Sequence, residues 1–270
     1  MGSSSRNEPP PSSSPTPFDY GRFSERFDLR ARENGFQKTS LLRVDGDDIA
    51  LWRKPAAAGE TDKRVFVSAG VHGDEPAGPL ALLSLLESDA FAKDFEWILL
   101  PALNPSGLRL GTRENRDGID LNRDFLRLQS QEIQAFTRWW RRDMPQGCAL
   151  HFSLHEDWEF SGFYFYAINS SPLRCFAHDL QRQLAQHITL QAKGPIDDHE
   201  LDAPGLIVHR CEADEPEGWP EAIWISKHHP ALSYTFEAPS SQPLEKREAG
   251  LAICLKSAIE LARSRFGEPR

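Results

Sequence analysis

The sequence predicts an α/β protein, a single domain built as a three-layer α/β/α sandwich on a mixed, largely parallel central sheet. Three observations predict it. Short apolar runs bounded by Gly, Pro and Asp alternate with segments of helical periodicity, the pattern that buries a sheet between helices. The 270 residues, 39% hydrophobic and 26% charged, suffice for one large core and are ordinary for a globular chain. No internal repeat and no second linker divides the chain after about Phe18.

Residues 1–17, MGSSSRNEPPPSSSPTP, are Ser or Pro at eleven of seventeen positions, too polar to bury a core and expected to be disordered. They contain no apolar stretch of the kind a secretory signal carries, and Arg6 stands where a myristoylation motif needs Ser or Thr. Residues 18–270 are the expected folded unit. "KTSLLRVDGDDIALWRKP" reads as a β-hairpin turning at Asp45-Gly46-Asp47. "RVFVSAG" (64–70) is a short apolar strand, and Pro76 opens a helix that continues through "GPLALLSLLE". "FEWILLPAL" (95–103) is a strand followed by a long polar loop to Asp124. "SQEIQAFTRWWRR" (130–142) is an amphipathic helix with Ile133, Phe136 and Trp140 on one side. Strands are expected at 147–156, 162–169, in "AIWIS" (222–226) and in "ALSYTFEA" (231–238), with helices over Leu173–His187 and Leu244–Phe266.

Composition removes several classes of function. A formal charge of −9 with no Lys/Arg cluster argues against nucleic-acid binding. No apolar run approaches the ~18 residues of a membrane span, so the cytoplasm is the expected compartment. Cys148, Cys175, Cys211 and Cys254 are scattered without a C-x-x-C pair and read as free thiols. There is no G-x-S-x-G elbow and no G-x-G-x-x-G fingerprint.

The unusual residues collect at one place. His72 and Glu75 follow the strand 64–70, and Arg113, Asp120, Asn122 and Arg123 lie in the loop after 95–103. His155 and Glu237 stand at the ends of two further strands. All fall at the carboxyl ends of strands, the edge where open α/β sheets bind ligands. Two histidines and a carboxylate with a fourth position open are a ligand set of catalytic zinc, so His72, Glu75 and His155 are the expected ligands of one Zn2+. The Gly73 and Pro76 turn lets His72 and Glu75 face the same ion. Asp120 is the expected outer partner of His72. Glu237 is the expected proton acceptor for an activated water, and Arg113 the expected stabiliser of the oxyanion. Asn122 and Arg123 are expected to hold a substrate carboxylate. Each element alone has a bland reading: H-x-x-E as a surface turn, His155 as a core histidine, Asn122-Arg123 as a solvated pair, Glu237 as a helix-start acid. Their joint occurrence, in this order, outweighs those readings.

"HGDE", "NPSGLRLGTRENRDGIDLNRDF", "SLHED" and "SYTFEAP" together resemble the zinc carboxypeptidase superfamily, over roughly Arg64 to Pro239. That superfamily includes carboxypeptidase A, murein peptide amidases and the succinylglutamate desuccinylase/aspartoacylase branch. The resemblance implies its phosphorylase/hydrolase-like sandwich fold. It also implies zinc on His72, Glu75 and His155, carbonyl polarisation by Arg113, carboxylate binding by Asn122 and Arg123, and Glu237 as general base. The digestive members carry a mobile Tyr before the Glu strand, whereas Ala213 to Lys227 here has no Tyr, only Trp219 and Trp224. Length and this absence favour the compact bacterial branches. The expected activity is a zinc metallocarboxypeptidase acting on a peptide with a free carboxylate, with an N-acyl amino acid deacylase as the alternative. A non-catalytic zinc-binding scaffold is disfavoured, since it would need neither Glu237 nor Arg113. His151 reads as a core residue or an outer partner of the site and not as a ligand, Trp139-Trp140 as core or sheet-face residues and His228-His229 as a loop pair, and Glu156 and Asp157 either tune His155 or are solvated.

Overall fold

A computed structural model describes residues 18–57, 64–91 and 93–266. The Ser/Pro segment 1–17 lies outside these. Among the described residues eight strands form one sheet in the order β1-β2-β4-β3-β5-β8-β6-β7. They are β1 (Gln37–Val44), β2 (Asp47–Lys54), β3 (Arg64–Ala69), β4 (Glu96–Leu100), β5 (Leu150–Asp157), β6 (Tyr164–Asn169), β7 (Leu206–Val208) and β8 (Leu232–Pro239). The central strands β4, β3, β5 and β8 are parallel, while β1 and β2 on one side and β6 on the other run antiparallel to their inner neighbours.

Among the described residues seven α-helices flank the sheet: α1 (Tyr20–Glu33), α2 (Ala77–Glu87), α3 (Pro105–Leu110), α4 (Gln131–Asp143), α5 (Ala177–Leu184), α6 (Glu221–His228) and α7 (Leu244–Phe266). The strand period of two sorts the side chains into two cores. Val65, Val67, Phe152, Leu154, Tyr234 and Phe236 pack with α1, α2, α5 and α7. Phe66, Ile98 and Leu100 face α4 and α6 through Phe136, Trp140 and Trp224. The predicted three layers are present. Among the described residues no helix is long and apolar enough to cross a membrane, and the four cysteines are free.

Local chemistry accounts for most boundaries. Asp45 (φ 51°) and Gly46 (φ 89°) make the left-handed two-residue turn that the hairpin needs. Ser130 caps α4 by accepting from the Ile133 N–H at 3.3 Å. The expected strand 222–226 is instead helix α6. A five-residue apolar run suits either element, but Pro220 followed by Glu221 is a helix start, and both edges of β8 are already paired, with β5 and β6. The loop after β4 contains helix α3, which reading the segment as polar loop missed. Asn104 caps it, accepting from Gly107 N–H at 2.9 Å, and Gly111 closes it at φ 67°. That capping also shortens the expected strand 95–103 to Glu96–Leu100, and the helix expected over 173–187 contracts to α5. The strands expected from 147 and 162 start later, at Leu150 and Tyr164. Helix α1 and strand β7 were not read from the sequence.

Candidate metal centre

Three chain segments converge beyond the carboxyl ends of β3 and β5. After β3 the chain turns through Val71–Glu75 into α2. At Gly73 a Cβ would lie 1.9 Å from the carbonyl carbon of Gly107, so only glycine lets this turn press on α3. The turn brings His72 Nδ1 to 2.6 Å from Glu75 Oε1. From β5, His155 Nδ1 approaches Glu75 Oε2 at 3.0 Å. All three side chains are buried, and one donor atom from each lies within 4.8 Å of the other two.

The far side of each imidazole is held. His72 Nε2 lies 3.2 Å from Asp120 Oδ1 and donates to it, because an ionised carboxylate can only accept; Nδ1, against Glu75, is then the nitrogen whose proton a metal ion would replace. Asp120 is fixed in turn by the Asn122 N–H at 2.9 Å and by Arg113 Nε at 3.0 Å. His155 Nε2 meets Ser153 Oγ at 3.0 Å. The Ser153 hydroxyl donates to Glu221 Oε2 at 3.3 Å, so its oxygen accepts from His155 and again leaves Nδ1 as the nitrogen for a metal ion. The two Nδ1 atoms and the two oxygens of one carboxylate thus converge, and with a cation in place of the shared protons they would be its ligands. The site fits a borderline dication such as zinc.

Period two explains the outer layer. Ser68 on β3, His151, Ser153 and His155 on β5, and Ser233 and Glu237 on β8 all lie on the α4/α6 face, opposite the apolar Phe152, Leu154, Tyr234 and Phe236. Glu221, at the start of α6, serves this polar seam. Besides Ser153 it accepts from Ser68 Oγ, and its backbone N–H donates to Asn122 Oδ1 at 2.9 Å. His151 is a fully buried part of the seam, with Nδ1 at 2.7 Å from Ser233 Oγ and its ring stacked on Phe66. Glu221 and Ser153 were not singled out from the sequence. The signal for Ser153 was its place two residues before His155 on a strand; Glu221 gave none.

Arg113 and Glu237 stand near the same point. Arg113 Nη1 lies 3.3 Å from His72 Nδ1 and 3.6 Å from Glu75 Oε1. Glu237 is the register partner of His155 on the neighbouring strand. Burial favours neutral carboxyls at Glu75 and Asp120, yet the imidazoles beside Glu75, and His72 and Arg113 beside Asp120, hold both well below the usual range. Glu237 moves the other way: burial, then the charges of Glu75, Asp157 and Asp197, push it well above a normal carboxyl, with Arg113 opposing. Arg123 sits farther out, with Nη1 donating to the Asn122 carbonyl at 3.0 Å and Nε 3.8 Å from Glu215.

Neither expectation for Glu156 and Asp157 survives. Glu156 points to the opposite sheet face, where it accepts from Ala77 N–H at 2.6 Å at the start of α2 and pairs with Arg247. Burial pushes it up to about 7 against those two partners. Asp157 accepts from Tyr164 Oη at 2.8 Å. His228, expected in a loop, ends α6 with its ring on Trp224.

The chain is similar to several known proteins. The profile of the succinylglutamate desuccinylase/aspartoacylase catalytic domain matches residues 61–195, half of the chain. Murein peptide amidase A of Escherichia coli K12 is 34% identical over 94 residues, a match spanning 35% of this chain and 37% of the amidase. Carboxypeptidase SOL1 of Arabidopsis thaliana is 35% identical over 92 residues, 26% of this chain and 19% of that protein. A Shewanella denitrificans protein provisionally described as a metallopeptidase superposes with a TM-score of 0.77 at 23% identity, over 93% of this chain and 98% of its own. A metallo-carboxypeptidase from Burkholderia cenocepacia gives 0.66 at 18% identity, over 92% and 70%. At such identities the two structures speak for the fold alone. The fold and the profile match agree: the chain belongs to the succinylglutamate desuccinylase/aspartoacylase catalytic-domain family, within the zinc carboxypeptidase-like superfamily.

Proposed function

We propose that this protein is a zinc-dependent hydrolase of an amide bond adjacent to a free carboxylate. The observation that carries the reading is the buried convergence of His72, Glu75 and His155 with Glu237 in register beside His155. When bound, zinc supplies Lewis acidity and lowers the pKa of a coordinated water towards neutrality. Asp120 and Ser153 fix the two imidazole tautomers so that each Nδ1 stays available. Glu237 takes the proton of the attacking water and returns it to the leaving nitrogen. Burial, then the Glu75 charge, raises Glu237, and its ionised form would be favoured with a dication held by His72, Glu75 and His155. Arg113, anchored through Nε on Asp120, turns its outer edge to the developing oxyanion. Arg123 and Asn122 receive the substrate carboxylate at the rim, Asn122 through its amide NH2, since its oxygen already accepts from Glu221.

The leading substrate class is a peptide with a free carboxylate, as the names of the amidase and carboxypeptidase relatives suggest. The family profile favours a second reading, an N-acyl amino acid deacylase with the same machinery. One peptide as acid and as amide, together with N-acyl amino acids, assayed side by side, separates them. Faster cleavage of the acid than of the amide is expected. The preferred acyl group assigns the branch, and equal rates on acid and amide would overturn the carboxylate requirement.

A further inference from the structure

A second group of donors lies outside this site. His199 follows a tight turn closed by Ile196 N–H to His199 C=O at 2.9 Å and the reverse bond at 2.8 Å. His209 comes just after β7, docked by its N–H on the Ala167 carbonyl at 2.9 Å. Asp214 stands in the loop leading to α6. His199 Nε2 lies 3.1 Å and His209 Nε2 3.3 Å from the same oxygen, Asp214 Oδ1. The two rings are 4.6 Å apart, edge to face, and both pack on Tyr166.

We infer that His199, His209 and Asp214 form a second zinc-type divalent metal site that clips the β6–β7 connection to the β7–α6 loop. His209 Nδ1 donates to the Arg210 carbonyl, which leaves Nε2 as the nitrogen aimed at a carboxylate oxygen. Both Nε2 atoms face one carboxylate oxygen at 3.1 and 3.3 Å, a spacing that ligands of one metal ion share and that protonated rings would also give, so zinc titration separates the two. Two imidazoles and one carboxylate supply the nitrogen and oxygen donors of a tetrahedral zinc site, with water as the fourth ligand because Asp214 is 60% exposed. The surroundings are negative: Asp197 accepts from Tyr166 Oη at 2.9 Å, and Asp197, Glu237 and Asp214 together disfavour ionisation of that phenol, adding to burial. The clip lies beside the candidate active site, because Tyr166 stands two residues along β6 from Tyr164, the register partner of Glu237. It shares no ligand with the first site, so each can be lost alone.

The test is zinc stoichiometry by calorimetric titration of chelator-stripped protein. Wild type should bind two equivalents, His199→Ala/His209→Ala one, and His72→Ala/His155→Ala one. Asp214→Asn, a change on an exposed side chain that leaves the fold intact, should weaken one equivalent by at least about tenfold. Zinc should also slow deuterium uptake across 196–214 in the His72→Ala/His155→Ala protein. A single equivalent in wild type that survives the His199→Ala/His209→Ala change, or undiminished binding in both Asp214→Asn and the His199/His209 variant, would overturn the second site. Loss of the first site's equivalent would instead count against the hydrolase reading.

Discussion

Replacing Ser153 by Ala removes one hydroxyl from the layer behind the metal donors and little else. Ser153 is 2% exposed, so no water can take the place of its oxygen, and the His155 Nε2–H at 3.0 Å loses its acceptor. A buried donor left unpaired costs about 1–3 kcal/mol. Outer partners of metal-bound histidines are typically worth 10- to 100-fold in metal affinity, about 1.4–2.7 kcal/mol. The two figures agree, which predicts that most of the cost falls on zinc binding. Ser233→Ala is the control: it strips the hydroxyl 2.7 Å from His151 Nδ1, equally buried, on a histidine that donates to no metal. Zinc dissociation constants from chelator competition, measured in the His199→Ala/His209→Ala background, should rise about 10- to 100-fold for Ser153→Ala and stay near the parent for Ser233→Ala. Unchanged affinity in Ser153→Ala, or an equal loss in both, would mean that Ser153 does not hold His155 for the metal.

Glu237→Gln should keep zinc and fold yet lose about 10²–10⁴-fold in kcat, because an amide cannot accept the water's proton; near-parental turnover would remove Glu237 from that role. Arg123→Lys keeps the charge but loses the fork, so kcat/KM should fall roughly ten- to a hundredfold on free-carboxylate substrates and little on amides. Equal losses on both would make Arg123 a loop support. Gly73→Ala drives a Cβ onto the Gly107 backbone at 1.9 Å and should lower Tm by calorimetry, with an overpacking cost of about 1–3 kcal/mol or more. An unchanged Tm would mean the His72 turn does not pack on α3.

The sheet was legible because its strands carry strong local signals: apolar runs in β3, β4 and β8, and the Asp45-Gly46 turn of the hairpin. Helix α6 was not, because "AIWIS" fits either period and its fate was decided by the pairing of β8 on both edges. Helix α3 is six residues held by Asn104 and Gly111, too short to show a face. At the site, His72, Glu75 and His155 stood out because their residue types are costly to place at strand ends without a use. The clustering of Arg113, Asp120 and Glu237 around them followed from strand order. Glu221 was invisible for the opposite reason: 99 residues separate it from Asn122, and only the folded chain brings it under Ser68 and Ser153. His199, His209 and Asp214 likewise lie in separate turns with no motif spacing, so their meeting is a tertiary fact.

Reconstitution tests whether His72, Glu75 and His155 hold the metal on which amide hydrolysis depends. Chelator-stripped protein is titrated with zinc while hydrolysis of a free-carboxylate peptide or N-acyl amino acid is followed. Activity should be absent at the start, return with zinc in wild type and in His199→Ala/His209→Ala, and fail to return in His72→Ala. Full activity in the stripped protein, or recovery in His72→Ala equal to wild type, would contradict that role.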